Sequence, residues 1–148
     1  MKIEKNSLDY RRFAWELVRH ACVRFSEAGW KVAVFVIAAG TEEAQQVAAQ
    51  TGALAIQTDL TSRAQVQACA ALHFGRRLVL SVPWSAMQGL HSKKCSVDLT
   101  DDDWNFVMDN NLRSVFYTIQ AALPDLIHDK DGAIVTVSSV WGVTGASC

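Results

Sequence analysis

The segment 31–37, Lys-Val-Ala-Val-Phe-Val-Ile, is apolar at successive positions and so on both faces of an extended chain. Such a run predicts a strand covered on both sides. It leads through Ala-Ala-Gly into helical spacing over 41–51, with Thr41 as N-cap, Glu42 and Glu43 in the first turn and Gly52 at the position of a C-cap glycine. The unit then repeats. A strand is expected over 53–58, a helix over 62–73 ending near Gly75, and a further strand over 77–82. Ahead of them, 8–28 reads as one amphipathic helix with Phe13, Leu17, Ala21 and Phe25 among its apolar residues.

A longer helical stretch starts at Thr100, which caps Asp101, Asp102 and Asp103 at the positive end of the helix dipole. Its apolar stripe runs Trp104, Met108, Leu112, Val115, Ile119, Leu123, at spacings of three and four. Core is the expected place for its aromatics, Trp104 and Phe116. Asn111 falls at the edge of the stripe, where an amide must be hydrogen-bonded; it either ties down a kink in the helix or belongs to a site. A fourth strand is expected over 133–137. Strands alternating with helices of this length imply right-handed crossovers and a mostly parallel α/β sheet covered on both faces.

Composition narrows the function. Half of the 148 residues are apolar and 20% charged, which suits one globular domain rather than a disordered or fibrous chain. The 14 basic residues against 15 acidic ones leave no net positive field for nucleic acid or an anionic membrane. No secretory signal and no apolar run of about 18 residues is present, so a cytoplasmic location is expected. Cys22, Cys69, Cys95 and Cys148 lack metal-ligand spacing and read as reduced thiols, with no metal site.

Three motifs in order carry a resemblance: Asp98-Leu-Thr-Asp-Asp-Asp-Trp104, Asn111-Leu-Arg-Ser-Val-Phe116, and Ile134-Val-Thr-Val-Ser138-Ser139-Val-Trp-Gly142. On them the chain resembles the short-chain dehydrogenase/reductase family, in its 3-oxoacyl-carrier-protein reductase branch. The resemblance runs back in weaker form to about Arg19. It implies a partial Rossmann-like doubly wound parallel sheet, a single incomplete domain over 1–148, and an NAD(P)(H)-dependent oxidoreductase that reduces a small-molecule or carrier-bound ketone to an alcohol. Ser139 matches the serine that holds the substrate carbonyl, with Ser138 behind it, and Asn111 matches the asparagine that supports the catalytic lysine through water. Asp59 and Leu60 match the pair that contacts the adenine ring; from the residues alone Asp59 also serves to end a strand. NADP is the branch default and NAD the alternative, since Val36, Ile37 and Ala38 supply neither the acid nor the base that selects between them.

The chain departs from the family in three blocks. Its glycine-rich phosphate loop aligns with Arg11 to Val18, where Arg12, Glu16 and Val18 replace the glycines that let backbone N–H groups approach pyrophosphate. Residues 5–10 stand where the central first strand belongs but have no strand pattern, and its loss is expected to leave two unpaired strand edges facing each other. Val82-Pro83-Trp84-Ser85 replaces a cofactor-facing turn, and the family's Tyr-x-x-x-Lys falls beyond Cys148. Loss in blocks suggests shifted reading frames or a decaying gene, and a chain inactive by itself. The competing expectation is a non-catalytic protein that joins a full-length reductase, or a second copy, through the helix over 100–123.

Overall fold

The computed structural model describes residues 7–36, 41–70, 77–81, 96–130 and 134–137. Helix α1, Ser7–Glu27, turns Trp15, Val18 and Cys22 inward at spacings of three and four, and holds its outer side with Glu16–Arg19 and Arg24–Glu27 ion pairs. It ends in a Schellman motif. Gly29, at φ 83°, donates to the Ser26 carbonyl at 2.9 Å, and the Trp30 N–H donates to the Phe25 carbonyl at 2.9 Å. The Phe25 and Trp30 rings meet edge to face, 6.1 Å between centroids, supplying the apolar contact that accompanies such a cap.

Strand β1, Lys31–Val36, is buried from Val32 onward, as its unbroken apolar run predicts. It is followed by α2 (Thr41–Thr51), β2 (Leu54–Gln57), α3 (Arg63–Ala70) and β3 (Arg77–Ser81). Gly52, at φ 72°, closes α2 as expected, donating to the Ala48 carbonyl at 2.8 Å. The strand side chains alternate between two cores. Val32, Val34 and Val36 pack with Trp15, Val18 and Cys22 of α1 and with Ala44 and Val47 of α2. On the opposite face Ala33 and Phe35 pack with Leu60 and with Val66 of α3. Helices therefore cover both faces of a parallel sheet, the doubly wound α/β arrangement.

The sheet order is β2-β1-β3, parallel throughout. This corrects the expectation of two orphaned edges. β1 and β3 pair directly, from Lys31 opposite Arg77 to Phe35 opposite Ser81, and β1 becomes the central strand. The reason is that a ladder is made by backbone groups alone. With no strand between them, two parallel edges satisfy each other's N–H and C=O groups at the ordinary spacing of about 4.8 Å.

After a 3₁₀ turn at Ser96–Asp98, Thr100 caps helix α4, Asp101–Met108. The cap is a full capping box: Thr100 Oγ1 accepts from the Asp103 N–H at 3.2 Å, and Asp103 Oδ2 accepts from the Thr100 N–H at 2.9 Å. A π-turn, Asp109–Arg113, then leads into α5, Ser114–Asp129, which closes on Lys130 in the left-handed conformation. The expected apolar stripe is buried only in part: Trp104 is 62% and Leu112 60% exposed and Leu123 is exposed, whereas Met108, Val115 and Ile119 are half-buried; Phe116, expected in the core, is exposed too. Instead Ser114 is buried and Tyr117 and Ala121 pack on the Phe35 core. A π-turn takes one extra residue, which rotates the face beyond it by about 100° relative to a continuous helix. Beyond Asn111 the stripe drawn at unbroken helical spacing therefore loses its register, while Trp104 ahead of the turn lies on a helix with no buried residue.

The expected fourth strand is also corrected. Residues 134–137 form no strand ladder, and Val135 and Val137 are 85% and 84% exposed. β-Branched composition supplies a preference that only a pairing partner turns into a strand.

Candidate cofactor site at the carboxyl ends of the strands

In a doubly wound sheet, ligands bind outside the carboxyl ends of the strands. Asp59 lies there, just past β2. Its Oδ1 accepts from the Thr61 N–H at 2.9 Å and the Thr61 hydroxyl at 2.7 Å, and its own N–H donates to Gln65 Oε1 at 2.9 Å. The Ser62 N–H returns to the Asp59 carbonyl at 3.1 Å. The aspartate thus makes an Asx-type turn that starts α3 and holds an exposed carboxylate at the strand end. Leu60 points the other way, buried with Ala33, Phe35 and Val66, so its side chain is not open to a ligand here. Thr61 and Gln65, which set this turn, went unread in the sequence, although Asp-x-Thr is an Asx-turn pattern.

Asn111 sits in the middle of the π-turn and is exposed. The helix is interrupted at this position by the π-turn, across which hydrogen bonds of the neighbouring residues run. Asn110 Nδ2 donates to the Phe106 carbonyl at 2.8 Å, Ser114 Oγ to the Asn110 carbonyl at 2.6 Å, and Thr118 Oγ1 to the Ser114 carbonyl at 2.9 Å. The Ser114 N–H reaches the Asp109 carbonyl, the five-residue bond that defines the turn, and an Arg113–Asp109 ion pair spans it. Ser139, Ser138 and the turn at 82–85 lie outside the described residues.

Arg63 joins the two parts of this region. Its guanidinium lies 4.4 Å from the Tyr117 ring centroid and 5.8 Å from that of Phe116, and it donates to Gln120 Oε1. Together with Tyr117 and Ala121 on the core, this fastens α5 to α3, the helix that opens at the Asp59 turn. No sequence signal marks a contact between residues 57 positions apart.

The phosphate end is different. Residues 11–18 lie inside the uninterrupted helix α1. Their N–H groups serve the helical ladder, so they form no loop of donors open to an anion. Val18 and Trp15 are spent on the core, the Trp15 indole N–H having no acceptor among the described residues, and Glu16 is paired with Arg19 at 2.7 Å. The residues present fit the adenine end of a dinucleotide in part and do not fit its pyrophosphate. Among the described residues no group of three His, Cys, Asp or Glu is placed to hold a metal, and no helix is long and apolar enough to cross a membrane. Burial pushes the Cys22 thiol up to about 11, which keeps it protonated and unreactive.

A model of the short chain dehydrogenase family matches residues 17–148. The chain belongs to the short-chain dehydrogenase family. Among similar proteins, 3-oxoacyl-[acyl-carrier-protein] reductase FabG of Staphylococcus aureus is 30% identical over 135 residues, covering 86% of this chain and 53% of the relative. Oxidoreductase UcpA of Escherichia coli is 46% identical over a stretch of 46 residues, 31% of this chain and 18% of the relative. Among solved structures, a short-chain dehydrogenase/reductase of Serratia marcescens, determined as a double mutant, superposes with a TM-score of 0.60 at 24% identity, over 72% of this chain and 45% of that one. Another from Burkholderia xenovorans gives 0.63 at 20% identity, over 87% and 57%. This short-chain dehydrogenase chain spans about half the length of the FabG relative it matches.

Proposed function

We propose that this chain carries the nucleotide-side half of an NAD(P)(H)-dependent carbonyl reductase, acting on a 3-oxoacyl thioester or similar ketone, and that as written it does not perform the reaction. In the proposal Ser139 hydrogen-bonds the substrate carbonyl, Asn111 supports the proton-relay side of the site, and Asp59 with the Leu60 backbone meets adenine. The observation that carries the inactive reading is the helical state of residues 11–18, which leaves the cofactor's phosphates without a cradle. NADP is the cofactor of choice by resemblance, the substrate is a small or carrier-bound carbonyl compound, and the compartment is the cytoplasm.

The test is a pair of measurements on the chain: NADPH oxidation with an acetoacetyl thioester, and thermal unfolding with and without NADPH or NADH. The expected result is no turnover and no shift in Tm. Turnover would overturn the inactive reading, and a cofactor-dependent shift without turnover would overturn only the part that concerns the phosphates.

A second reading is favoured by the exposure of Trp104, Phe106, Leu112 and Phe116 along the 101–129 stretch. Such a face suits association with a full-length reductase, the chain then acting as a non-catalytic partner. Co-expression with a full-length 3-oxoacyl reductase and joint purification would support it; separate elution of the two would count against it.

A further inference from the structure

Among the described residues β3 pairs only with β1, and the sheet ends there. On the outer side of β3 a row of backbone N–H and C=O groups has no strand partner among the described residues. Natural edge strands are usually blunted by charge or proline, but β3 reads Arg77-Leu78-Val79-Leu80-Ser81, uncharged through its centre. The same chain displays an unpaired strand-forming segment. Residues 134–137, Ile-Val-Thr-Val, are four β-branched residues in succession, all exposed and none in a ladder.

The order of these parts is that of a strand, a helical crossover and a second strand, whose natural product is a parallel pair. Among the described residues that pair is not formed. The 101–129 stretch is fastened to α3 through Arg63, Tyr117 and Ala121, and only a short connector separates Lys130 from Ile134. Short connectors between an anchored element and a free one favour exchange between copies.

We propose that two copies exchange this segment, residues 134–137 of each adding in parallel to the β3 edge of the other. A reciprocal exchange fills both edges and shelters both segments without a third component, and its two-fold symmetry closes the assembly. It does not depend on whether the chain is a reductase fragment or a binding partner.

Sedimentation across a range of protein concentrations tests this, on the chain and on Val135→Pro and Leu112→Asp. Val135 is exposed, so proline there removes a ladder donor without touching the core, and circular dichroism verifies the fold. The chain is expected to dimerise, Val135→Pro to weaken the dimer by about tenfold or more, and Leu112→Asp to leave it unchanged. Hydrogen exchange should show the 134–137 amides protected in the dimer and open in Val135→Pro. A monomer at every concentration would overturn the proposal, as would a dimer indifferent to Val135→Pro. Loss of the dimer in Leu112→Asp alone would place the contact on the helix face, and protection of 134–137 in a monomer would place the segment on its own sheet; either result overturns the exchange.

Discussion

The layers around β1 and the helix over 101–129 obey the same local rules and end differently. Both contain capped helices with apolar residues at helical spacing. Around β1 those residues form two cores, one on each face of the sheet. Along 101–129 Trp104, Leu112 and Leu123 of the drawn stripe stand in water while Met108, Val115 and Ile119 are half-buried, and the helix is fastened through Tyr117, Ala121 and the Arg63 bridge. Periodicity says which residues share a face. Whether the face is buried depends on what lies opposite, and on whether a π-turn has rotated it.

The sharpest way to break this comparison is to truncate one apolar residue on each side. Phe35→Ala, at a residue only 2% exposed, is expected to cost about 3–5 kcal/mol in urea unfolding. Leu112→Ala should stay within about 0.5 kcal/mol. Equal losses would mean that the helix face is covered in solution. Next in size is the pH response of Cys22. Its ordinary value of 9.0 rises to about 11 in the folded chain, so between those values the folded chain keeps a proton that the unfolded chain releases. This contribution is complete below pH 9 and is lost as pH climbs to about 11. The urea midpoint should therefore fall more steeply over that interval in the chain than in Cys22→Ala; parallel slopes would refute the assignment. The smallest effect is expected of Thr100→Ala, which removes half of the capping box and about 1 kcal/mol. Hydrogen exchange should show the loosening at the start of α4 and none in α1 or α2.

Much of the chain was legible in its residues because the signals were local. The apolar run of β1, the glycine closing α2 and the threonine opening α4 each act within one turn or one strand, and each stands where it was expected. Two identical tripeptides show the limit of such reading. Asp59-Leu60-Thr61 makes an Asx-type turn in which the aspartate accepts and Leu60 is buried, whereas Asp98-Leu99-Thr100 uses its threonine as the N-cap and leaves Leu99 exposed. Of the candidate site, the placement of Asp59 at a strand's carboxyl end was readable, and Asn111 stands in a π-turn where the sequence left a kink and a site as alternatives. The Thr61 and Gln65 contacts that shape the first, and the Arg63 bridge between the two regions, were not.

Fold class and the loss of the glycine loop follow from the residues themselves, since backbone preference and hydrophobic spacing act over a few positions. The direct β1–β3 ladder, the exposed helix face and the unpaired 134–137 segment are decided at long range. Each depends on which backbone edge or apolar face meets another across the fold, and hydrogen bonds and burial are gained only when two such surfaces arrive together.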